Sequence, residues 1–544
     1  VAKWLSKAVR ADSSVIDTQA HQRRVLLAFP RYAPSFGTFQ YAYPIVGVKA
    51  FMPPQGLLVI AAALPKHWQV RLVDENIAPA TPADFAWADV VFVSGMHIQR
   101  ERINDLCARA HAAGKAAVLG GPSVSACPDY YPDFDYLHVG EMGDATDQLI
   151  DRLEQDAHRP PRQVVLTTKV RRELSDFPIP AYELCRLDQY FMGSIQFSSG
   201  CPYECEFCDI PALYGRNPRL KTPNQVVAEL DKMMACGLRD AVYFVDDNFI
   251  GNRRAVRELL PALTDWQKRN GYPLSLACEA TLNIAKRPEI LVPMREAKFE
   301  TVFCGIETPD PAALKAMDKG HNMMVPILDG VKTLNDFGME VVSGIILGLD
   351  TDTPQAGEGV TAFAEQTNIP VLTINLLQAL PRTKLWDRLV QEGRLIQDDK
   401  DLESNVVFRL PYGDVVEMWR ACMAKAYAPD ALFKRFEYQL QATYAKRLNP
   451  PRRVTPKMVL RGIGVIFRLV VAAGVLSPYR RAFWRFAWPL IRKGDIERVV
   501  AVGVVAHHLI TFAQEAVSGR QNASFYSRKV RKPGVAEQNA KAAA

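Results

Sequence analysis

The sequence predicts an α/β protein in three parts: a doubly wound N-terminal domain, a partial six-stranded (β/α) barrel and a C-terminal helical extension. Three observations carry this. At 544 residues the chain exceeds one compact domain and has room for about three to four units of roughly 100–200 residues. Strand-like and helix-like stretches alternate over residues 24–157 and again over 193–397, the pattern of parallel sheets with crossover helices. From residue 398 the strand signal fades, and only helical stretches follow, to residue 516. Between the alternating regions, residues 158–192 read as a Pro- and Arg-rich linker; residues 517–544 are polar, Ala- and Lys-rich, and read as disordered.

In the first region strands are expected at 25–29, 69–73, 90–94, 116–120 and 136–139, with helices near 56–64, 101–113 and 144–153. Ligands on such sheets bind at the C-terminal ends of the strands. Those ends carry Ser94-Gly95-Met96, Gly120-Gly121-Pro122 and Gly140-Glu141. Glycine there either lets a large ligand approach the backbone or simply turns the chain. In the second region strands are expected at 195–199, 242–246, 274–278, 301–305, 341–347 and 371–377. One helix has a clear start, with Thr222 as N-cap, Pro223 first and Gln225 three after the cap, and a stop at Gly237. The extension reads as helices over 415–427, 432–448, 455–476, 479–492 and 495–516.

Charge divides the chain. Its net charge is +7, yet residues 446–544 hold 19 Lys and Arg against 4 Asp and Glu, 19 − 4 = +15, leaving 7 − 15 = −8 for the first 445. An acidic body argues against coating nucleic acid and points the tail at something anionic. In the tail Arg461, Arg468, Arg480, Arg481, Arg485, Arg492 and Lys493 interleave with Phe467, Phe483, Trp484, Phe486 and Trp488. That mixture suits interfacial membrane helices or a packed helical domain with solvated arginines. No segment reaches about 18–20 uncharged apolar residues. The nearest are 458–476, interrupted by Arg461 and Arg468, and 499–513, with His507 and His508. A spanning helix is therefore not expected, nor, from residues 1–17, a secretory signal.

Ten cysteines are too few for a disulfide scaffold, and three crowd into Cys201, Cys205 and Cys208, as in a metal site in a reducing, cytoplasmic setting. They lie just after the first barrel strand, where such barrels place their chemistry. Three thiolates on one loop can hold a 4Fe-4S cluster and leave one iron open. A zinc site would want a second ligand pair, and none is nearby.

Cys201-x-x-x-Cys205-x-x-Cys208, with Phe207 before the last cysteine, resembles the signature of the radical S-adenosylmethionine (SAM) enzymes. The resemblance implies that the open iron binds SAM and that the reduced cluster cleaves it to a 5′-deoxyadenosyl radical. It extends to Asp246-Asp247 after the second strand, Glu279 after the third, Gly305 to Glu307 at the fourth and Gly344 at the fifth, so that Phe207, Asp247, Glu279, Gly305, Glu307 and Gly344 become the expected SAM-side residues. Leu380-Pro381-Arg382-Thr383 is similar to the loop after strand six, with Arg382 where the family has glycine.

A doubly wound domain ahead of this barrel resembles the cobalamin-binding subclass, which implies that Ser94, Gly120, Gly121, Pro122, Gly140 and Glu141 line the cobalamin. The Asp-x-His-x-x-Gly motif for a lower axial histidine is absent; His97 follows strand three without that frame, as an axial ligand or a loop histidine. Cys208-Asp209-Ile210, Tyr214-Gly215-Arg216 and the helical extension resemble the branch containing the hopanoid methylases. The resemblance implies a methylase acting on an unactivated carbon of a small molecule or a hopanoid-like lipid, with a flavodoxin- or ferredoxin-type reductant and peripheral contact at the inner face of the membrane. A cobalamin-using cyclase or rearrangement enzyme and a non-catalytic cobalamin or iron–sulfur sensor are the alternatives. No catalytic side chain is named beyond the cluster ligands, because the cofactors carry the hard chemistry.

Overall fold

The computed structural model describes residues 22–396, 402–451 and 455–520. The N-terminal stretch and most of the tail expected to be disordered lie outside these residues.

The first sheet consists of β1 (Arg24–Phe29), β2 (Gln69–Asp74), β3 (Val90–Ser94), β4 (Ala116–Gly120), β5 (Tyr136–Val139) and β6 (Val164–Thr167), all parallel in the order β2-β1-β3-β4-β5-β6. Its inner strands β1, β3, β4 and β5 are buried on both faces. Leu26, Ala28, Val91, Val93 and Leu119 pack one way; Val25, Leu27, Val90, Phe92 and Val118 pack the other. This period-two division explains why the strands read as continuous apolar runs. β6 falls inside the stretch expected as linker, and it pairs Tyr136–Val139 with Val164–Thr167 in register. It is a mostly exposed edge strand, so the Pro- and Arg-rich surroundings masked its signal.

The second sheet takes β7 (Gly193–Ile195), then, beyond the short antiparallel ribbon of β8 (Ser198–Ser199) and β9 (Arg219–Leu220), β10 (Asp240–Phe244), β11 (Leu274–Glu279), β12 (Phe299–Glu307), β13 (Glu340–Leu347) and β14 (Val371–Leu376). The order β14-β13-β12-β11-β10-β7 follows the chain without a jump, the topology of a six-stranded open barrel. The expected helix start is present: Gln225 N–H donates to Thr222 Oγ1 at 3.2 Å and Thr222 N–H to Gln225 Oε1 at 2.8 Å.

The extension covers the free edge of β14. Trp419 Nε1 donates to Ile374 O at 2.9 Å, and Tyr427 Oη accepts from Leu372 N at 2.9 Å, which satisfies backbone that an open edge would leave exposed. Its helices are Tyr412–Ala426, Pro429–Ala442, Pro456–Leu469 with a π-helical continuation Val470–Leu476, Arg480–Arg492 and Ile496–Val517. Met458–Leu476 and Ile496–Val517 are, by length and composition alone, long and apolar enough to cross a membrane, which the sequence reading did not expect because it stopped the run at the charged positions. The second is mostly packed, with 56% of its apolar window buried, whereas only 22% of the first's is, at positions such as Val465, Leu469 and Ala473.

Candidate active site

The cysteine loop leaves β8 through Gly200, whose φ of +101° and proximity to Gly215 O (2.8 Å from a Cβ placed there) exclude a side chain. Asp247 Oδ2 accepts Gly200 N–H at 2.7 Å, and Asp246 accepts Phe197 N–H at 3.2 Å and also Ser198 N–H. The two aspartates are therefore not a solvated turn; they fix the backbone that leads into Cys201. Burial pushes their carboxyls up, to about 7 at Asp246 and about 6 at Asp247. On the far side Glu206 pins the loop to the helix Lys384–Gln391: Arg388 reaches its carboxylate at 2.5 Å and 3.2 Å, and Leu385 N–H donates to its carbonyl at 2.9 Å.

All ten cysteines are free, and Cys201, Cys205 and Cys208 are half-buried. Burial pushes all three thiols up, and Lys319 opposes this at Cys201 and Cys205, so iron binding must displace their protons. Among the described residues no three His, Cys, Asp or Glu side chains gather tightly enough for a single metal ion. Three free thiols on one braced loop fit a 4Fe-4S cluster.

The strand ends beyond the loop bring the other expected residues together. Glu279 accepts from Tyr243 Oη at 3.2 Å, and burial, with Asp247 nearby, pushes its carboxyl up to about 7. Glu307 forms a buried ion pair with Lys319 at 2.6 Å. Gly305 and Gly344 are register partners beside it. A Cβ on Gly305 would lie 2.4 Å from Glu307 Oε1 and 3.0 Å from Lys319 Nζ, and one on Gly344 3.4 Å from Glu307 Oε2. The glycines thus keep open the space that the carboxylate uses. Lys319 also stands 5.3 Å over the Phe207 ring. Burial works against its ammonium, but Glu307 and Cys205 outweigh it and hold its pKa above the ordinary value. Lys319 escaped sequence reasoning because no spacing marks a lone lysine.

On the first domain the glycine edges are sterically demanding. Gly121 has φ +95° and a Cβ there would meet Ser94 Oγ at 2.3 Å; Gly140 has φ +103° and donates its N–H to Ser125 Oγ at 2.9 Å. Gly120 ends β4, and Pro122 opens the short turn of helix after it. Backbone bare of side chains at adjacent strand ends fits a broad planar ligand. His97 Nδ1 lies 3.1 Å from Ser123 Oγ. Glu141, expected on the cobalamin side, has both its oxygens engaged by protein, with Ser199 Oγ at 3.0 Å, Arg171 at 3.3 Å and an ion pair to Arg219. Ser199 and Arg219 belong to the ribbon beside the cysteine loop, so Glu141 ties the two domains together.

Fold and site define a cobalamin-binding radical SAM enzyme. The radical SAM superfamily matches residues 195–363, the B12 binding domain residues 45–150 and a domain of unknown function, DUF4070, residues 383–522. The chain is 63% identical to the hopanoid C-2 methylase of Rhodopseudomonas palustris (strain TIE-1) over 94% of its length and 98% of that protein's. The radical SAM methyltransferase TsrM from Kitasatospora setae, solved with cobalamin and a [4Fe-4S] cluster, shares the fold at TM-score 0.58 and 15% identity, over 88% of this chain and all of that one. The cobalamin-dependent SAM radical enzyme OxsB does so at TM-score 0.57 and 14% identity, over 94% of this chain and 83% of that one. The chain belongs to the cobalamin-binding radical SAM methylases, in the branch that contains the hopanoid methylases. It is a methylase that uses a 4Fe-4S cluster, SAM and cobalamin, which sets aside the cyclase and sensor alternatives.

Proposed function

We propose that the enzyme methylates a hopanoid at the unactivated C-2 carbon, receiving electrons from a flavodoxin- or ferredoxin-type protein. The 63% identity to a hopanoid C-2 methylase along nearly the whole of both chains supports this reading. In the proposed division, residues 24–157 with the β6 edge hold cobalamin, residues 193–397 hold the cluster and SAM, and residues 398–516 serve the lipid side. It works in the cytoplasm, peripheral at the inner face of the membrane.

Together the bound cofactors supply the radical that takes a hydrogen from carbon and the methyl group that replaces it. The chain's own residues bind, orient and exclude water. Cys201, Cys205 and Cys208 ligate the cluster, on a loop that Asp247 and Arg388 hold in place. Phe207, Glu279, Gly305, Glu307 and Gly344 frame the SAM side, with Lys319 holding the Glu307 side chain in place. Ser94, Gly120, Gly121, Pro122, Gly140 and Glu141 would line the corrin, and Glu141 also ties that edge to the barrel through Arg219. No side chain need act as acid or base.

Lipid analysis of a deletion strain tests the substrate. C-2-methylated hopanoid should vanish and return with the wild-type gene but not with Cys205→Ala. Persistence of the methylated lipid in the deletion strain would refute the assignment.

A further inference from the structure

The cations and aromatics of the extension suit either interfacial membrane helices or a packed helical domain. The structure redistributes those residues. Phe483 and Phe486 are buried, 1% and 3% exposed, and Arg485 pairs with Asp430 at 2.6 Å. What remains outside is an apolar row. Leu460 (72% exposed), Ile463 and Phe467 (68%) lie three and four residues apart on helix Pro456–Leu469, and therefore on one face. Val475 and Leu476 (74%) are also exposed in the π-helical continuation of that helix, and Trp488 (51%) is exposed on helix Arg480–Arg492. Isolated exposed apolar residues need no explanation, but three on one helical face, with further ones on the elements that follow, mark an interaction surface.

The opposite side of the same helix is packed in the protein. A Cβ on Gly503 would lie 2.9 Å from Leu469 Cδ2, so the helix Ile496–Val517 approaches it closely. Arg468 Nε donates to Ile45 O at 2.7 Å, and Arg461 pairs with Asp240 at 3.4 Å. These ties to the cobalamin domain and the barrel hold the helix along the body of the protein and leave only its outer face available.

We propose that this face is a monotopic insertion surface, in which Leu460, Ile463, Phe467, Val475, Leu476 and Trp488 enter the acyl region of one leaflet. It deepens the lipid reading above and rests on it for the kind of partner. Charge selects a leaflet over a second copy of the chain. Arg480, Arg481, Arg492 and Lys493 are exposed, and none of them has an acidic partner among the described residues. A two-fold contact would set these cations against themselves, whereas anionic headgroups satisfy them while the apolar row sinks below. Trp488, with the Arg492 guanidinium 5.4 Å over its ring, joins an apolar body to a cation at the depth where tryptophan collects.

The test uses full-length holoenzyme and vesicles of phosphatidylcholine with phosphatidylglycerol. Wild type should cosediment, and high salt should weaken but not abolish this, because screening removes only the cationic part. The double variant Leu460→Glu/Phe467→Glu should lose about tenfold or more in partitioning, with unchanged iron–sulfur and cobalamin absorbance. In the otherwise native protein, brominated acyl chains should quench tryptophan emission more in wild type than in Trp488→Phe. Undiminished binding by the double variant, or a concentration-dependent dimer that the variant abolishes while wild type ignores vesicles, would overturn the proposal. Vesicle binding requires no turnover, so its failure is distinguishable from failure of the hopanoid assignment.

Discussion

Glu307 combines a left-handed backbone, φ +67°, with a buried ion pair to Lys319. A non-glycine residue holds such a conformation only where its surroundings enforce it; here the register of β12 with β13 shifts between Gly305 and Glu307, and the ion pair anchors the side chain. Lys319→Met would leave a buried carboxylate unpaired and should cost about 3–5 kcal/mol of stability, read from the urea midpoint; Glu307→Gln should cost less, because the amide can still accept from the ammonium. Equal losses would argue against the pair as the anchor. Glu279 carries a pH signature. Burial raises its pKa from 4.5 to about 7 in the folded chain, so folding takes up a proton between these values. For the cofactor-free protein this makes Glu279 a source of stability that declines as pH rises from about 4.5 to about 7 and stays flat above. Denaturant midpoints across that window should vary less in Glu279→Gln; an unchanged profile would place the raised pKa elsewhere. The cysteine loop, with Cys201, Cys205 and Cys208 free on it, was legible from its four- and three-residue spacing. Lys319 and Arg219 were not, since each acts on a partner distant in sequence and belongs to no pattern.

The elements show where periodic signals suffice. Both parallel sheets were readable because strands buried on two faces leave apolar runs separated by helices. β6 was missed because an edge strand buries little and here follows Pro160-Pro161. At the loop after β14, Arg382 stands where the resembling family has glycine, and its φ is +65°. The backbone therefore keeps the left-handed turn despite the side chain, helped by Thr383, which caps the next helix by accepting Trp386 N–H at 3.0 Å. Arg382→Gly should preserve activity and raise stability by up to about 1 kcal/mol, measured as a shift in urea midpoint; clear destabilisation would mean that the arginine makes a contact worth more than the strain. Gly121→Ala should do the reverse on the first domain. With φ +95° and Ser94 Oγ at 2.3 Å from the new methyl, the strand end must shift, and cobalamin retained through gel filtration should fall several-fold while the cluster stays intact.

Across the whole molecule, the charge division and the domain order have one physical reading. The acidic body holds both sheets, and the ion pairs from Glu141 to Arg219 and Arg171 tie the first domain to the ribbon beside the cysteine loop. Arg219→Met should therefore lower methyl transfer more than it lowers cobalamin or iron content. The extension closes the barrel edge through Trp419 and Tyr427, and its basic part, from residue 446 on, turns apolar side chains outward. Sequence alone located that basic region, but its apolar face became visible only once packing had consumed Phe483 and Phe486. The central claim is that cluster, SAM and cobalamin cooperate here to place a methyl group on a hopanoid carbon. Its most direct test is reconstituted holoenzyme, reductant, methyl-labelled SAM and a hopanoid in lipid vesicles. Label should appear in the hopanoid together with released 5′-deoxyadenosine. Release of 5′-deoxyadenosine with the label confined to cobalamin and no labelled lipid would contradict the account.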